Sequence, residues 1–119
     1  MNQSATSSSV GYLVVRVSTA RGAIPLEDAA VNIRGGDADQ SGVLFSLRTD
    51  RDGKTRPVPL PTPERALSES PGTEPPYAVY NVDVFKEGYL PLFFHNVPVF
   101  PTVISVQPAV MVPDPALPL

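Results

Sequence analysis

The chain lacks several residue types, and each absence removes a class of function. It has no cysteine, which excludes a disulfide framework and any thiolate site. It has no tryptophan, the side chain best suited to stack against a sugar ring. Nine Lys and Arg against twelve Asp and Glu give a formal net charge of −3, and no basic cluster is present. We therefore expect no nucleic-acid partner.

Long apolar runs and a targeting segment are also missing. No uninterrupted apolar stretch is long enough to cross a bilayer, so we expect a soluble protein without membrane insertion. The first residues, MNQSATSSSV, contain no basic region followed by an apolar run, and they do not form a classical secretory signal. We interpret residues 1–10 as a polar N-terminal arm.

Proline is abundant, with 15 residues in 119, and this disfavours helices because proline breaks helix interiors. Alternating apolar residues instead predict strands, most clearly in Tyr12–Ser18 and from Tyr77 onward. The segment that contains Pro57 and Pro59 should be an edge strand or a polyproline stretch, since proline cannot donate to a ladder. We predict a seven-stranded antiparallel β-sandwich over residues 11–112, with a proline-rich loop at 61–76 and a proline-rich tail at 113–119. The seven predicted strands begin near Tyr12, Ala30, Val43, Lys54, Tyr77, Tyr89 and Thr102.

One acidic segment begins like a calcium-binding loop. Asp37, Asp39, Ser41 and Gly42 match its first six positions, but the twelfth position is Arg48 where a bidentate glutamate is needed. We therefore predict a turn and no metal site. If a metal is bound there after all, Asp37 and Asp39 are the expected ligands.

A second acidic segment, Asp50-Arg51-Asp52-Gly53, is typical of a tight turn. Asp-Gly supplies the positive φ that such a turn requires, and Asp50 can accept hydrogen bonds from turn amides. This interpretation explains each residue without a metal.

The last third of the chain is uncharged, because no Asp, Glu, Lys or Arg lies between Glu87 and Asp114. Both faces of the predicted strands are apolar in places. Two interpretations remain open: a central strand pair with covered loops, or a surface that meets another protein. For the second, the candidate contact residues are Val10, Tyr77, Phe93, Phe94, Val99 and Phe100.

The order of several short motifs resembles the carboxypeptidase regulatory-like domain. These motifs are a Gly-x-x-Pro loop, an A-V-x-I strand, T-D-x-x-G, and a Y-x-V-x-V strand followed by Gly-Tyr. The residues that carry the resemblance are Gly22, Pro25, Ala30, Val31, Ile33, Thr49, Asp50, Gly53, Tyr80, Val82, Val84, Gly88 and Tyr89. The resemblance implies an immunoglobulin-like, transthyretin-like (prealbumin-like) fold. The variant with TARGA, LPTP and PYAVYNV looks like modules of clostridial spore-associated and peptidoglycan-binding proteins.

The resemblance implies a domain without catalytic activity or cofactor. Transthyretin-like proteins that hydrolyse 5-hydroxyisourate use several histidines, whereas this chain has only His95, expected to be a packed or surface polar residue. We therefore expect a structural or interaction module, a homo-oligomer or polymer on a bacterial cell or spore surface. The alternative is a module that binds cell-wall glycan or peptide through the 61–76 loop, with Tyr77 as a contact.

Overall fold

The computed structural model describes residues 8–36, 42–63 and 77–116. Strands dominate these residues, with a single 3-10 turn at Ala20–Gly22, and no helix among them is long and apolar enough to cross a membrane. The expected all-β class is confirmed. The eight strands of the described residues are β1 (Ser8–Thr19), β2 (Ile24–Pro25), β3 (Ala30–Gly35), β4 (Val43–Arg48), β5 (Val58–Pro63), β6 (Ala78–Phe85), β7 (Leu92–Val99) and β8 (Ile104–Val110).

The strands form two four-stranded sheets. Sheet A has β1 at its centre, with β5 and β2 along one side and β8 along the other. Sheet B has the order β4-β3-β6-β7. Buried side chains from both sheets form one core, as expected for a sandwich. The fully buried larger side chains are Leu13, Val15, Val17, Val31, Ile33, Val58, Leu60, Val82, Val84, Val99 and Met111.

Two details of the predicted sandwich require correction. Eight strands are present among the described residues where seven were expected, because β2 is only two residues long and contains Pro25, too short for a periodic pattern. The strands are antiparallel with one exception, since β1 and β8 run parallel from Tyr12 opposite Ile104 to Ser18 opposite Val110. A parallel pair needs a long connection, and here the rest of the fold lies between the two strands.

The predicted segment boundaries differ from the ordered strands by a few residues. Ser8–Val10, assigned to the polar arm, already belong to β1, and residues 61–63, assigned to the loop, end β5. Pro113 forms an isolated bridge with Tyr89. Residues 1–7 of the predicted arm, 64–76 of the loop and 117–119 of the tail lie outside the described residues, as do Asp37 and Asp39.

The predicted turn at Asp50–Gly53 is confirmed in detail. Asp50 Oδ1 accepts hydrogen bonds from the N–H groups of Asp52 (2.9 Å) and Lys54 (3.0 Å), and Gly53 has a φ of +79°. The Gly53 carbonyl accepts the Val17 N–H at 2.7 Å. The turn therefore joins directly onto the central strand of sheet A.

Candidate interaction surface

The most unusual feature of the fold is that the apolar side chains of β8 face solvent over most of the length of the strand. Ile104, Val106 and Val110 have 59%, 52% and 43% of their surface exposed. The intervening Ser105 and Gln107 lie on the face toward the sandwich interior and are partly buried. Branched apolar side chains normally occupy the inner face of a strand, so β8 presents to solvent the residues that would usually form core.

The register that holds these side chains outward is fixed at both ends of β8. At one end, the Tyr12 N–H donates to the Val103 carbonyl at 3.0 Å. At the other, buried Met111 donates its N–H to Ser18 (2.7 Å) and accepts the Thr19 hydroxyl at its carbonyl (2.9 Å). A shift by one residue would turn every side chain of β8 over. It would therefore remove Met111 from the core.

The outer face of sheet A continues this apolar surface across β1. Parallel register places Tyr12 beside Ile104 and Val14 beside Val106, with all four side chains on the solvent side. Pro59 of β5 lies on the far side of Tyr12. We call this surface, formed by the outward residues of β8, Tyr12, Val14 and Pro59, the outer apolar face.

Cationic side chains border the outer apolar face at one end. Val14 and Val106 line a cavity of about 380 Å³ together with Arg16, Lys54 and Arg56. Asp50 is the acidic residue in the same lining, where its carboxylate already accepts the turn amides. The face is therefore apolar along β8 and bordered by cations on one part of β1, and protein contact surfaces commonly combine apolar and charged residues in this way.

The structure brings three of the predicted contact residues to one end of the molecule. The Tyr77 and Phe100 rings are 5.4 Å apart between centroids and tilted by 48°, and each is roughly 40% exposed (37% and 40%). The Thr102 N–H donates to the Val10 carbonyl at 2.8 Å, which ties the segment after Phe100 to β1. Val10 is itself exposed, at 42%. The two rings form a second, smaller exposed apolar cluster, and the backbone of Val10 is tied to the segment that follows it.

The remaining predicted contact residues do not join that cluster. Phe93 is 55% exposed on the outer side of sheet B, where it meets Phe85 edge to face at 5.8 Å. Phe94 points the other way and packs against the core. Val99 requires correction: it is fully buried, because Val97 and Val99 share the inward face of β7 while Pro98 faces out. Its side chain is not available to a partner.

Sequence reasoning missed the outward residues of β8. The signal that could have indicated them is the strict alternation of Ile104, Val106, Pro108 and Val110 with Ser105, Gln107 and Ala109 in a segment without charge. That alternation identifies an apolar face, but it does not say whether the face meets the core or a partner. Only the register with β1 decides this, and the register depends on contacts distant in sequence.

The polar groups of sheet B are arranged for stability. Arg34 and Asp83 form a two-bonded ion pair on its outer side, at 2.9 Å (Nε–Oδ2) and 3.2 Å (Nη2–Oδ1). The hydrogen bond and the charge of Asp83 raise the pKa of Arg34. Burial raises the pKa of Tyr80, whose hydroxyl donates to the Pro61 carbonyl. His95 is exposed on β7, and no group of three or more potential metal ligands occurs among the residues that the structure describes.

Comparison with known proteins gives a likeness of fold alone. No family model matches the chain, and no curated protein matches it. Among solved structures it is similar to 3-chlorocatechol 1,2-dioxygenase from Rhodococcus opacus 1CP, with a TM-score of 0.53 and 14% sequence identity. The similarity covers 87% of this chain and 59% of that one, so the chain spans less than two thirds of that enzyme's length. At this identity the likeness concerns the β-sandwich and not its activity.

Proposed function

We propose that this chain is a non-catalytic structural module that associates with copies of itself. As the resemblance to spore-associated modules implies, its place is an assembly on a bacterial cell or spore surface. The same resemblance supports a transthyretin-like variety of the β-sandwich. The observation that carries the proposal is the outer apolar face, where three branched side chains of β8 are held in solvent by a fixed register.

The cost of leaving this face uncovered supports the proposal. Ile104, Val106 and Val110 are each about half exposed, and Tyr12 adds a ring that is 37% exposed. Covering an apolar surface is favourable by on the order of 25 cal/mol per Å², so burial of these side chains against a second surface favours association. Contiguous exposed apolar patches that are rimmed by polar residues mark sites of protein contact.

Light scattering with a matched pair of variants tests the proposal. Val106→Glu places a charge in the outer apolar face, and Val43→Glu places the same charge on β4, at 53% exposure against 52% for Val106. Each valine has an arginine close by, Arg34 opposite Val43 and Arg16 in the lining shared with Val106. We expect wild type and Val43→Glu to grow in mass with concentration and Val106→Glu to remain monomeric. A wild-type chain that is monomeric at every concentration would refute the proposal.

A second candidate function is binding of cell-wall glycan or peptide at the Tyr77–Phe100 end. The observation that favours it is a cavity of about 490 Å³ lined by Gly35, Gly36, Pro61 and Tyr77, beside the exposed Tyr77 ring. Aromatic rings at the rim of a cavity can stack against sugars. Co-sedimentation with insoluble peptidoglycan separates the two functions: binding that is lost in Tyr77→Ala and retained in Val106→Glu would favour this candidate.

A further inference from the structure

The backbone of β8 has a free edge whose polar groups can be assigned from the register. In a parallel pair, one residue of the first strand bonds to both neighbours of the residue opposite it. The Tyr12 N–H donates to the Val103 carbonyl while Tyr12 lies opposite Ile104. The backbone groups that bond to β1 are therefore those of Val103, Ser105, Gln107 and Ala109. The N–H groups of Ile104, Val106 and Val110 therefore point away from β1, where no strand among the described residues pairs with them.

The opposite edge of sheet A is closed by proline. By the same alternation, the backbone groups of β5 that hydrogen-bond to β1 are those of Val58, Leu60 and Thr62. These residues lie opposite Leu13, Gly11 and Ser9. Every intervening residue along this edge is a proline and has no N–H to offer: Pro57, Pro59, Pro61 and Pro63. Proline at the open side of an edge strand prevents pairing with another chain. In β8 the only proline that removes an N–H from the open edge is Pro108.

The edges of sheet B are protected against pairing with another chain in other ways. β4 ends in the charged Arg48, and its pairing with β3 is interrupted by a bulge beside Arg34. β7 has a register shift opposite Tyr80, and Asn96 in it adopts a φ of +59°. Bulges and charges of this kind discourage edge-to-edge pairing. Among the described edge strands, β8 is the one that combines an unbroken register, no charged residue and several unpaired N–H groups.

From these observations we propose that β8 pairs antiparallel with β8 of a second copy, around a two-fold axis at Gln107. This inference rests on the proposed self-association and specifies its geometry. The axis at Gln107 uses the whole strand, because Gln107 is the middle residue of Ile104–Val110. Ile104 then lies opposite Val110 of the second copy, and Val106 lies opposite Pro108 of the second copy.

This register satisfies every N–H that the edge presents. In an antiparallel ladder, opposite residues whose groups face each other exchange hydrogen bonds. Ile104 of one copy and Val110 of the other exchange two hydrogen bonds. The Val106 N–H donates to the Pro108 carbonyl of the other copy, and the return bond is absent because proline has no N–H. The Pro108 carbonyl already accepts the Gln107 side-chain amide at 2.8 Å and retains a second lone pair. An axis at Pro108 would instead place two proline rings face to face and form no bond at the centre.

A second copy fits this edge better than an unrelated chain of typical charge. At a two-fold contact a residue close to the axis lies near its own copy, so a charge there would repel itself. No charged residue occurs between Glu87 and Asp114. Cross-strand contacts of Ile104 with Val110 and of Val106 with Pro108 add apolar packing to the backbone hydrogen bonds of the pair. The contact is isologous, so it closes as a dimer.

Disulfide trapping tests the register, because the chain has no cysteine of its own. In the proposed dimer, the two copies of residue 107 form a non-hydrogen-bonded pair with Cα atoms about 4.5 Å apart, within the ~4.4–6.8 Å that a disulfide spans. Gln107→Cys should therefore form a covalent dimer under mild oxidation. Ile104→Cys is the control, since six residues of offset separate its two copies by about 20 Å. The double variant Ile104→Cys/Val110→Cys should be trapped, which provides a second test should Gln107→Cys fold poorly.

The outcomes separate this inference from the proposed function. Trapping of Gln107→Cys and of the double variant, with Ile104→Cys untrapped, supports the edge pairing. Trapping of Ile104→Cys alone would mean that outer faces stack, because that side chain points outward and Gln107 points inward. That result, or no trapping in a chain that light scattering shows to be oligomeric, overturns the edge pairing and leaves self-association standing. A strict monomer overturns both.

Discussion

Tyr12 and Ile104 lie opposite each other in the parallel pair of β1 and β8, and both side chains face solvent. Because side chains alternate along a strand, this one pairing sets the orientation of all of β8. It places Ala109 and Met111 in the core and leaves Ile104, Val106 and Val110 outside. The outer apolar face is thus a consequence of register. Residues distant from it in sequence hold that register.

Met111 should be the residue on which the position of β8 most depends. Met111→Ala removes a side chain that is 1% exposed, and we expect the free energy of unfolding to fall by about 2–5 kcal/mol. Val112→Ala, at a neighbouring position that is 55% exposed, should change it by less than about 0.5 kcal/mol. Urea denaturation measures both values. Equal losses in the two variants would mean that Met111 does not anchor the strand.

Gly53 is required at its position for two independent reasons. Its φ of +79° is unfavourable for other residues, and a Cβ there would overlap the Val17 carbonyl oxygen. We expect Gly53→Ala to lower the free energy of unfolding by more than about 1 kcal/mol. Gly42→Ala is the matched control, because no atom of the described residues lies within 4 Å of a Cβ built on Gly42. Thermal melting of the two variants compares them, and a Gly53→Ala melting temperature equal to that of Gly42→Ala would contradict the account.

The turn at Asp50–Gly53 and the strand cores could be predicted because their signals are local. Asp-Gly specifies a turn by its own dihedral angles, and the alternation in Tyr12–Ser18 identifies Leu13, Val15 and Val17 as one face. Strict alternation would place Val43 on the same face as Phe45. A bulge opposite Arg34 turns the Val43 side chain outward, and no local sequence pattern indicates this bulge.

The candidate surface was predicted less well than the fold. The uncharged C-terminal third correctly drew attention to a region with exposed apolar residues, including Phe93 and Phe100. It did not separate Val99, which is core, from Val106, which is exposed. Both belong to apolar alternating strands, and only the packing of two sheets decides which face of each strand is covered.

The ion pair of Arg34 and Asp83 should contribute measurably to stability. Its two hydrogen bonds join a guanidinium and a carboxylate that are 25% and 13% exposed. A double-mutant cycle with Arg34→Met and Asp83→Asn should give a favourable coupling free energy that is clearly larger than that of a single-contact exposed pair. The pair of Arg48 and Asp28 is the control: it is 3.5 Å long with side chains 64% and 70% exposed. Its coupling should be near zero, and equal coupling in both pairs would contradict this interpretation.

Tyr80 should make the stability of the fold sensitive to alkaline pH. Burial raises its pKa in the folded state above the ordinary value of about 10. Between the unfolded and folded pKa the unfolded chain holds fewer protons, so stability is complete below pH ~10 and is lost as pH rises through that window. Tyr80→Phe removes the ionising group, and its free energy of unfolding should fall less steeply above pH 10 than that of wild type. Parallel slopes for the two proteins would refute this assignment.

Amide hydrogen exchange, followed by NMR at low and high protein concentration, tests the central claim of association through β8 most directly. The N–H groups of Ser105, Gln107 and Ala109 are assigned to bonds with β1, so they should exchange slowly at both concentrations. Those of Ile104, Val106 and Val110 should exchange quickly in dilute solution and become protected as the protein associates. If these three amides exchange equally fast at both concentrations while the particle mass increases, the chain associates through another surface and the account is contradicted.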